Sequence, residues 1–98
     1  MSVNQSNMDS FVSDLNVIYG ENSNPVLGRV FEYVYGRKWI KVTVRYAREA
    51  SGSVYAFIDA ANGDIYKPAS WRAPAKHARG NIFTNRNCCG KFGIAYLR

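Results

Sequence analysis

Lys38-Trp39-Ile40-Lys41-Val42-Thr43-Val44-Arg45-Tyr46 alternates without a break. Successive side chains of an extended chain point to opposite faces. Ile40, Val42, Val44 and Tyr46 therefore share one face, and Trp39, Lys41, Thr43 and Arg45 the other. A period of two predicts a strand with one apolar core face and one wet, cationic face.

The neighbouring segments extend this reading. Val30-Phe31-Glu32-Tyr33-Val34-Tyr35 is aromatic and β-branched and stops at Gly36, which predicts a preceding strand. Glu49-Ala50-Ser51-Gly52 reads as a turn, and Ser53 to Ala60 as a third strand. Asn62-Gly63 is a hairpin signal leading into Asp64-Ile65-Tyr66-Lys67. Gly80-Asn81 punctuates the chain before Ile82-Phe83. A closing strand is expected from Lys91 to Leu97, with Phe92, Ile94 and Tyr96 on one side and Gly93 and Ala95 on the other. The two small residues there imply close backbone approach or a sharp bend.

Upstream the period changes. Met8, Phe11, Val12, Leu15, Ile18 and Tyr19 mark one face of an amphipathic helix over residues 6–19. Ser6 followed by Asp9 has the spacing of a capping box, with Asp in place of Glu, and Gly20 is a C-terminal stop. Residues 21–25 form a polar connector. The chain of 98 residues is thus one α+β domain: an N-terminal amphipathic helix, then about five antiparallel strands over 26–98. Bending such a sheet into a small open barrel is the economical way to hide its edges.

Charge is uneven. Residues 1–27 hold Asp9, Asp14 and Glu21 and no Lys or Arg. All 13 basic residues follow, against Glu32, Glu49, Asp59 and Asp64, and the total is +6. From Ile65 onward there is no acidic residue, while Lys67, Arg72, Lys76, Arg79, Arg86, Lys91 and Arg98 are all basic. That asymmetry favours an anionic partner, and solubility is the plain alternative. No apolar run is long enough to span a bilayer, and the first residues lack the pattern of a secretory signal. No membrane association and a cytoplasmic location, in a host cell if the chain is viral, are expected. The adjacent Cys88 and Cys89 are expected to be reduced, small buried hydrophobes rather than a zinc site.

The tract from Lys67 to Asn81 mixes cations, two prolines, one Trp and the only histidine. Pro68 and Pro74 argue against a helix or central strand across Ser70–Ala75, so an ordered loop is expected, with a helical turn over Ala75–Arg79. Lys67, Arg72, Lys76 and Arg79 suit phosphates, and Trp71 or His77 can stack on a base. Trp71 reads equally as a core anchor clipping that loop to the sheet. Trp39, Lys41 and Arg45 form a second candidate surface, an aromatic and cationic sheet face of the kind that holds single strands. A helix or subunit packed over that face is the competing reading. Asp59 and Asp64 flank the hairpin and read as its caps. No calcium loop, zinc spacing, phosphate-cradling glycine loop or nucleophile elbow is present. No catalytic residue, metal or cofactor is therefore expected.

The run from Phe57 to Ile82 resembles small uncharacterised proteins of marine viruses and phages. The order of one helix and five strands resembles Sm-like small barrels, a likeness of topology. It implies an Sm-like open barrel that assembles into homo-oligomeric rings and binds RNA, with edge strands pairing between subunits. The expected function is a non-enzymatic module binding single-stranded RNA or DNA through Trp39, Lys41, Arg45, Lys67, Trp71, Arg72, Lys76, His77 and Arg79. The alternative is a homo-oligomeric structural or assembly protein, of a virus or a cell, with no nucleic-acid role, whose basic tract meets another subunit or a protein partner.

Overall fold

The structure, a computed structural model, describes residues 3–19, 28–46, 52–86, 88–90 and 94, and the backbone but not the side chain of Tyr19. Helix α1 (Gln5–Tyr19) precedes five strands: β1 (Arg29–Tyr35), β2 (Trp39–Tyr46), β3 (Ser53–Asp59), β4 (Asp64–Pro68) and β5 (Pro74–Asn81). They form one antiparallel sheet in the order β1-β2-β3-β4-β5, with β1 and β5 as its edges among the described residues. The α+β class read from the sequence is thus what the chain adopts.

The alternation in β2 sets the two faces. Ile40 pairs with Tyr35 and Ile58, while Lys41 pairs with Val34 and Phe57. Ile40, Val42, Ile58 and Ile65 lie on the inner face and are fully buried with Phe31 under Met8, Phe11, Val12 and Leu15 of α1. Each such side chain stabilises the fold by about 1.5–3 kcal/mol relative to exposure. The outer face carries Trp39, Lys41, Thr43 and Arg45.

Helix α1 also covers an edge. The Asn16 side chain accepts from the Phe31 amide at 2.8 Å and donates to the Phe31 carbonyl at 3.1 Å. An amide side chain thus takes the place of a neighbouring strand along β1, which blunts that edge.

Three expectations are corrected. The helix starts one residue earlier than Ser6, and its cap is Asn4 with Asn7, not Ser6 with Asp9. The Asn7 amide donates to Asn4 Oδ1 at 2.8 Å, and the Asn4 amide donates to Asn7 Oδ1 at 2.9 Å. This is the reciprocal geometry of a capping box built from two asparagines. Asp9, displaced from that task, accepts a hydrogen bond from the Tyr33 hydroxyl. Second, Ile18 is 66% exposed. It continues the apolar stripe but rims a recess beside Arg86 and Cys89 instead of meeting the sheet. Tyr46, assigned to the core face, is likewise exposed at the end of β2.

The third correction concerns the proline-containing tract, which is a β-hairpin, not a loop with a helical turn. Tyr66 pairs with Ala78, and Pro68 with Pro74. The tip is closed by the Ala69 and Ser70 amides, which donate to the Ala73 carbonyl at 3.0 and 3.1 Å. Pro74 is tolerated because it is the first residue of β5, the outer strand of the hairpin, and Pro68 because it is the last residue of β4, beyond the β3 pairs at Ile65 and Tyr66. Register shifts on either side of Tyr66 absorb the remaining mismatch. The closing strand expected from Lys91 to Leu97 lies outside the described residues except for Ile94, which is buried and bridges to Cys89. Gly20, the connector at 21–25 and most of the turn at 49–52 also lie outside them.

Candidate functional site

The outer sheet face is roofed at one end by the tip of the β4–β5 hairpin. Three local structures make this arrangement. The turn between β1 and β2 is held by the Gly36 amide donating to the Trp39 carbonyl at 2.9 Å. A Cβ at Gly36 would lie 2.7 Å from that carbonyl oxygen, so the close approach needs glycine. The turn sets Arg37 and Lys38 beside Trp39. Phe57 faces outward because it pairs with Lys41, two places along β2 from Trp39. At the hairpin tip, the Ser70 hydroxyl accepts from the Arg72 amide at 3.3 Å, folding Trp71 back over the sheet.

Between them lies a groove of about 530 Å³, lined by Val34, Tyr35, Gly36, Arg37, Lys38, Trp39, Lys41, Thr43, Phe57, Trp71 and Arg72. Its floor is Phe57, which is 2% exposed yet separate from the core under α1. Trp39 meets Phe57 and Tyr66 edge to face, with ring centroids 6.5 and 4.9 Å apart. These contacts hold the indole in one orientation. Trp71 is 52% exposed. The Lys41 ammonium sits 4.4 Å from the Trp71 ring centroid and 5.9 Å from that of Phe57, a cation between two π-faces. Lys38 lies 5.1 Å over Trp39.

The groove's charge is of one sign. Arg37, Lys38, Lys41 and Arg72 line it, and among the described residues no carboxylate does. Nearby acids are engaged elsewhere: Glu32 accepts from Arg45 Nε at 2.8 Å, and Asp59 accepts from the Ala61 amide at 2.9 Å. The Glu32 contact pushes the Arg45 guanidinium further up from its ordinary range, and burial pushes the Tyr66 phenol up. Both groups stay in their ordinary charge states near neutrality. The groove offers flat aromatic surfaces and fixed positive charge, the chemistry of stacking and anion pairing.

Of the residues singled out from the sequence, Trp39, Lys41, Trp71 and Arg72 come together here. The two candidate surfaces are one surface, joined by the Lys41–Trp71 contact. Arg45 lies on the same face further along β2, tied to Glu32. Lys67 turns away and donates to the Ile94 carbonyl at 3.2 Å. Arg79 is half-buried and lines no part of the groove. Lys76 and His77 are exposed on β5 and line no part of the groove.

Sequence reasoning missed Phe57, Arg37, Lys38 and Val34. Phe57 was concealed because Val54-Tyr55-Ala56-Phe57-Ile58 is apolar throughout and the β2–β3 register shifts between Val42 and Thr43. Counting back from the Asn62-Gly63 turn would have exposed its parity, since Asp59 pairs with Trp39. Asp59 and Asp64 cap that hairpin: the Gly63 amide donates to the Asp59 carbonyl at 2.8 Å, and Asn81 Nδ2 to Asp64 Oδ1 at 3.0 Å.

Among the described residues, no helix is long and apolar enough to cross a membrane. No curated protein matches the chain, nor does any solved structure. Residues 3–92, which contain every element above, match a family of unknown function, DUF7717, and the chain belongs to that family.

Proposed function

We propose that this protein is a non-enzymatic module that binds single-stranded nucleic acid in the groove between the outer sheet face and the β4–β5 hairpin tip. The observation that carries this reading is the convergence of Trp39, Phe57 and Trp71 with Arg37, Lys38, Lys41 and Arg72 in one groove. Exposed indole faces stack on bases of any identity, and guanidinium and ammonium groups pair with phosphates. Binding is therefore salt-dependent and weakly sequence-selective. Duplexes are disfavoured, because their bases are already stacked. A ligand phosphate would draw Lys41 off Trp71 and free that ring for a base.

The Sm-like open barrel belongs to the same reading. The register shifts at Val42/Thr43 and around Tyr66 are irregularities that bend sheets, and they support a sheet curled over α1. A cytoplasmic location, in a host cell for a viral chain, goes with it.

Fluorescence anisotropy with labelled single-stranded RNA and DNA tests the reading. Binding at about 50 mM salt that weakens steeply by about 200 mM is expected. No binding at the lower salt would sink it. The second reading, a homo-oligomeric assembly protein, draws on the exposed apolar Val17 and Ile18 of α1 and Val34 and Tyr35 of β1. Light scattering separates the two: a concentration-independent monomer that binds single strands leaves only the first.

A further inference from the structure

Each indole of the groove carries its own lysine. The Lys41 ammonium sits 4.4 Å from the Trp71 ring centroid, and the Lys38 ammonium 5.1 Å from that of Trp39. The two pairs have different origins. Lys38, Trp39 and Lys41 belong to β2 and the turn that enters it, whereas Trp71 is delivered by the β4–β5 hairpin tip. All four residues nonetheless line one groove.

The lysines cover ring faces that a ligand can reach. Lys38 is exposed, so the Trp39 face beneath it is turned towards solvent. Trp71 is itself 52% exposed. An exposed cation–π contact is weaker than a stacked base, so a base displaces the lysine from its ring. The displaced ammonium stays close by, where the phosphate attached to that base must pass. An indole with an ammonium is therefore the complement of one nucleotide, and the groove holds that unit twice.

Strand geometry sets the spacing. Trp39 of one unit and Lys41 of the other stand two places apart on β2, about 6.8 Å along the strand. That is twice the roughly 3.4 Å rise of stacked bases. Two bases seated here are parted from each other, each on its own indole, which a duplex cannot offer. Arg37 precedes Lys38 in the β1–β2 turn, and Arg72 follows Trp71 at the hairpin tip, so each end of the pair has a guanidinium for the next phosphate.

We propose that the groove is a two-base site: two consecutive nucleotides of a single strand place one base on Trp39 and the other on Trp71, with Lys38 and Lys41 on their phosphates. This size rests on the reading of the groove as a single-strand site. It defines a short ligand. A 5′-phosphorylated tetranucleotide carries one phosphate for each of the four lining cations and fills the groove. Further nucleotides lie outside it.

Competition anisotropy tests this with the purified full chain and a labelled single-stranded RNA. The competitors share one backbone, the 5′-phosphorylated tetranucleotide, and differ in which positions are abasic. The two inner bases alone are expected to compete within about threefold of all four, because a pair has three registers on four positions. Removing one of that pair should weaken competition by roughly 5- to 150-fold, the worth of one stacked base. Trp71→Ala should erase most of this difference. Circular dichroism checks that the variant folds, and the ligand series stands without it. An inner pair weaker than four bases by more than about tenfold would mean that more than two bases are seated. A single base as good as the pair would mean that only one is. Either result overturns the two-base site and leaves the groove as a single-strand site, as does a long strand that binds where the tetranucleotide does not. If no strand of any length binds, both readings fall.

Discussion

Lys41 and Trp71 hold one another in place across the groove without either being needed for the core. Trp71 is half exposed and lies at a hairpin tip, so Trp71→Ala is expected to leave thermal stability nearly unchanged. Its effect falls on ligand. Loss of one stacked base costs about 1–3 kcal/mol, so affinity for single strands should drop by roughly 5- to 150-fold, measured by anisotropy. Trp71→Phe should recover part of it. Tyr33 makes a different kind of pair. Its hydroxyl donates to Asp9, and that hydrogen bond, with some burial, pushes its pKa from 10.0 up to about 12. The folded state therefore favours the protonated phenol more than the unfolded chain does. Stability from this link is whole below pH 10.0 and is lost as pH rises towards about 12. Thermal midpoints across that window should fall faster in wild type than in Tyr33→Phe, which lacks the titrating group. Equal slopes would show that the link contributes nothing.

At the scale of elements, the fold depends on how its two edges are managed. β5 is blunted by Pro74, Lys76 and register shifts, whereas β1 is blunted by a single residue of α1. Asn16→Ala removes both hydrogen bonds to Phe31 and leaves its amide and carbonyl half-buried without their partner. A loss of about 1–3 kcal/mol is expected, read from urea denaturation. Asn16→Asp keeps the acceptor for the Phe31 amide but sets a carboxylate against the carbonyl, and should rescue little. Neither device was legible in the sequence, because Asn16 is merely polar within a helix and its partner lies fifteen residues away. What was legible shares one property: it is local and periodic. The alternation of β2, the helical stripe from Met8 to Leu15 and the Asn62-Gly63 turn are all governed by interactions within a few residues. The β4–β5 hairpin was not legible, because the prohibition on proline holds for central strands, and edge position is a property of the whole sheet. The site was half legible for the same reason. Trp39 and Lys41 share a face by parity alone, whereas Trp71 reaches them only through the hairpin that the prolines concealed.

At the scale of the molecule, the +6 charge overstates what any one ligand meets. Half of the described cations already have structural work. Arg29 is buried against the Phe31 ring, Arg45 pairs with Glu32, Lys67 donates to the Ile94 carbonyl, Arg79 is half-buried, and Arg86 ties Asp14. Lys76 stands exposed on the far edge. Arg37, Lys38, Lys41 and Arg72 remain for the groove. This division gives a numerical expectation. Each phosphate neutralised on a single strand contributes about −0.7 to the slope of log affinity against log salt. Four contacts therefore give a slope of about −3, and removing one charge with Lys41→Met should make it shallower by roughly 0.7. Lys76→Met should leave the slope unchanged. A slope of about −6 or steeper would mean that the scattered basic surface, not the groove, holds the strand. A slope near zero would mean that phosphates are not contacted at all. The acid-free C-terminal third thus has a measurable meaning: only Arg72 among its described cations should register in the salt dependence, and Arg72→Met should match Lys41→Met.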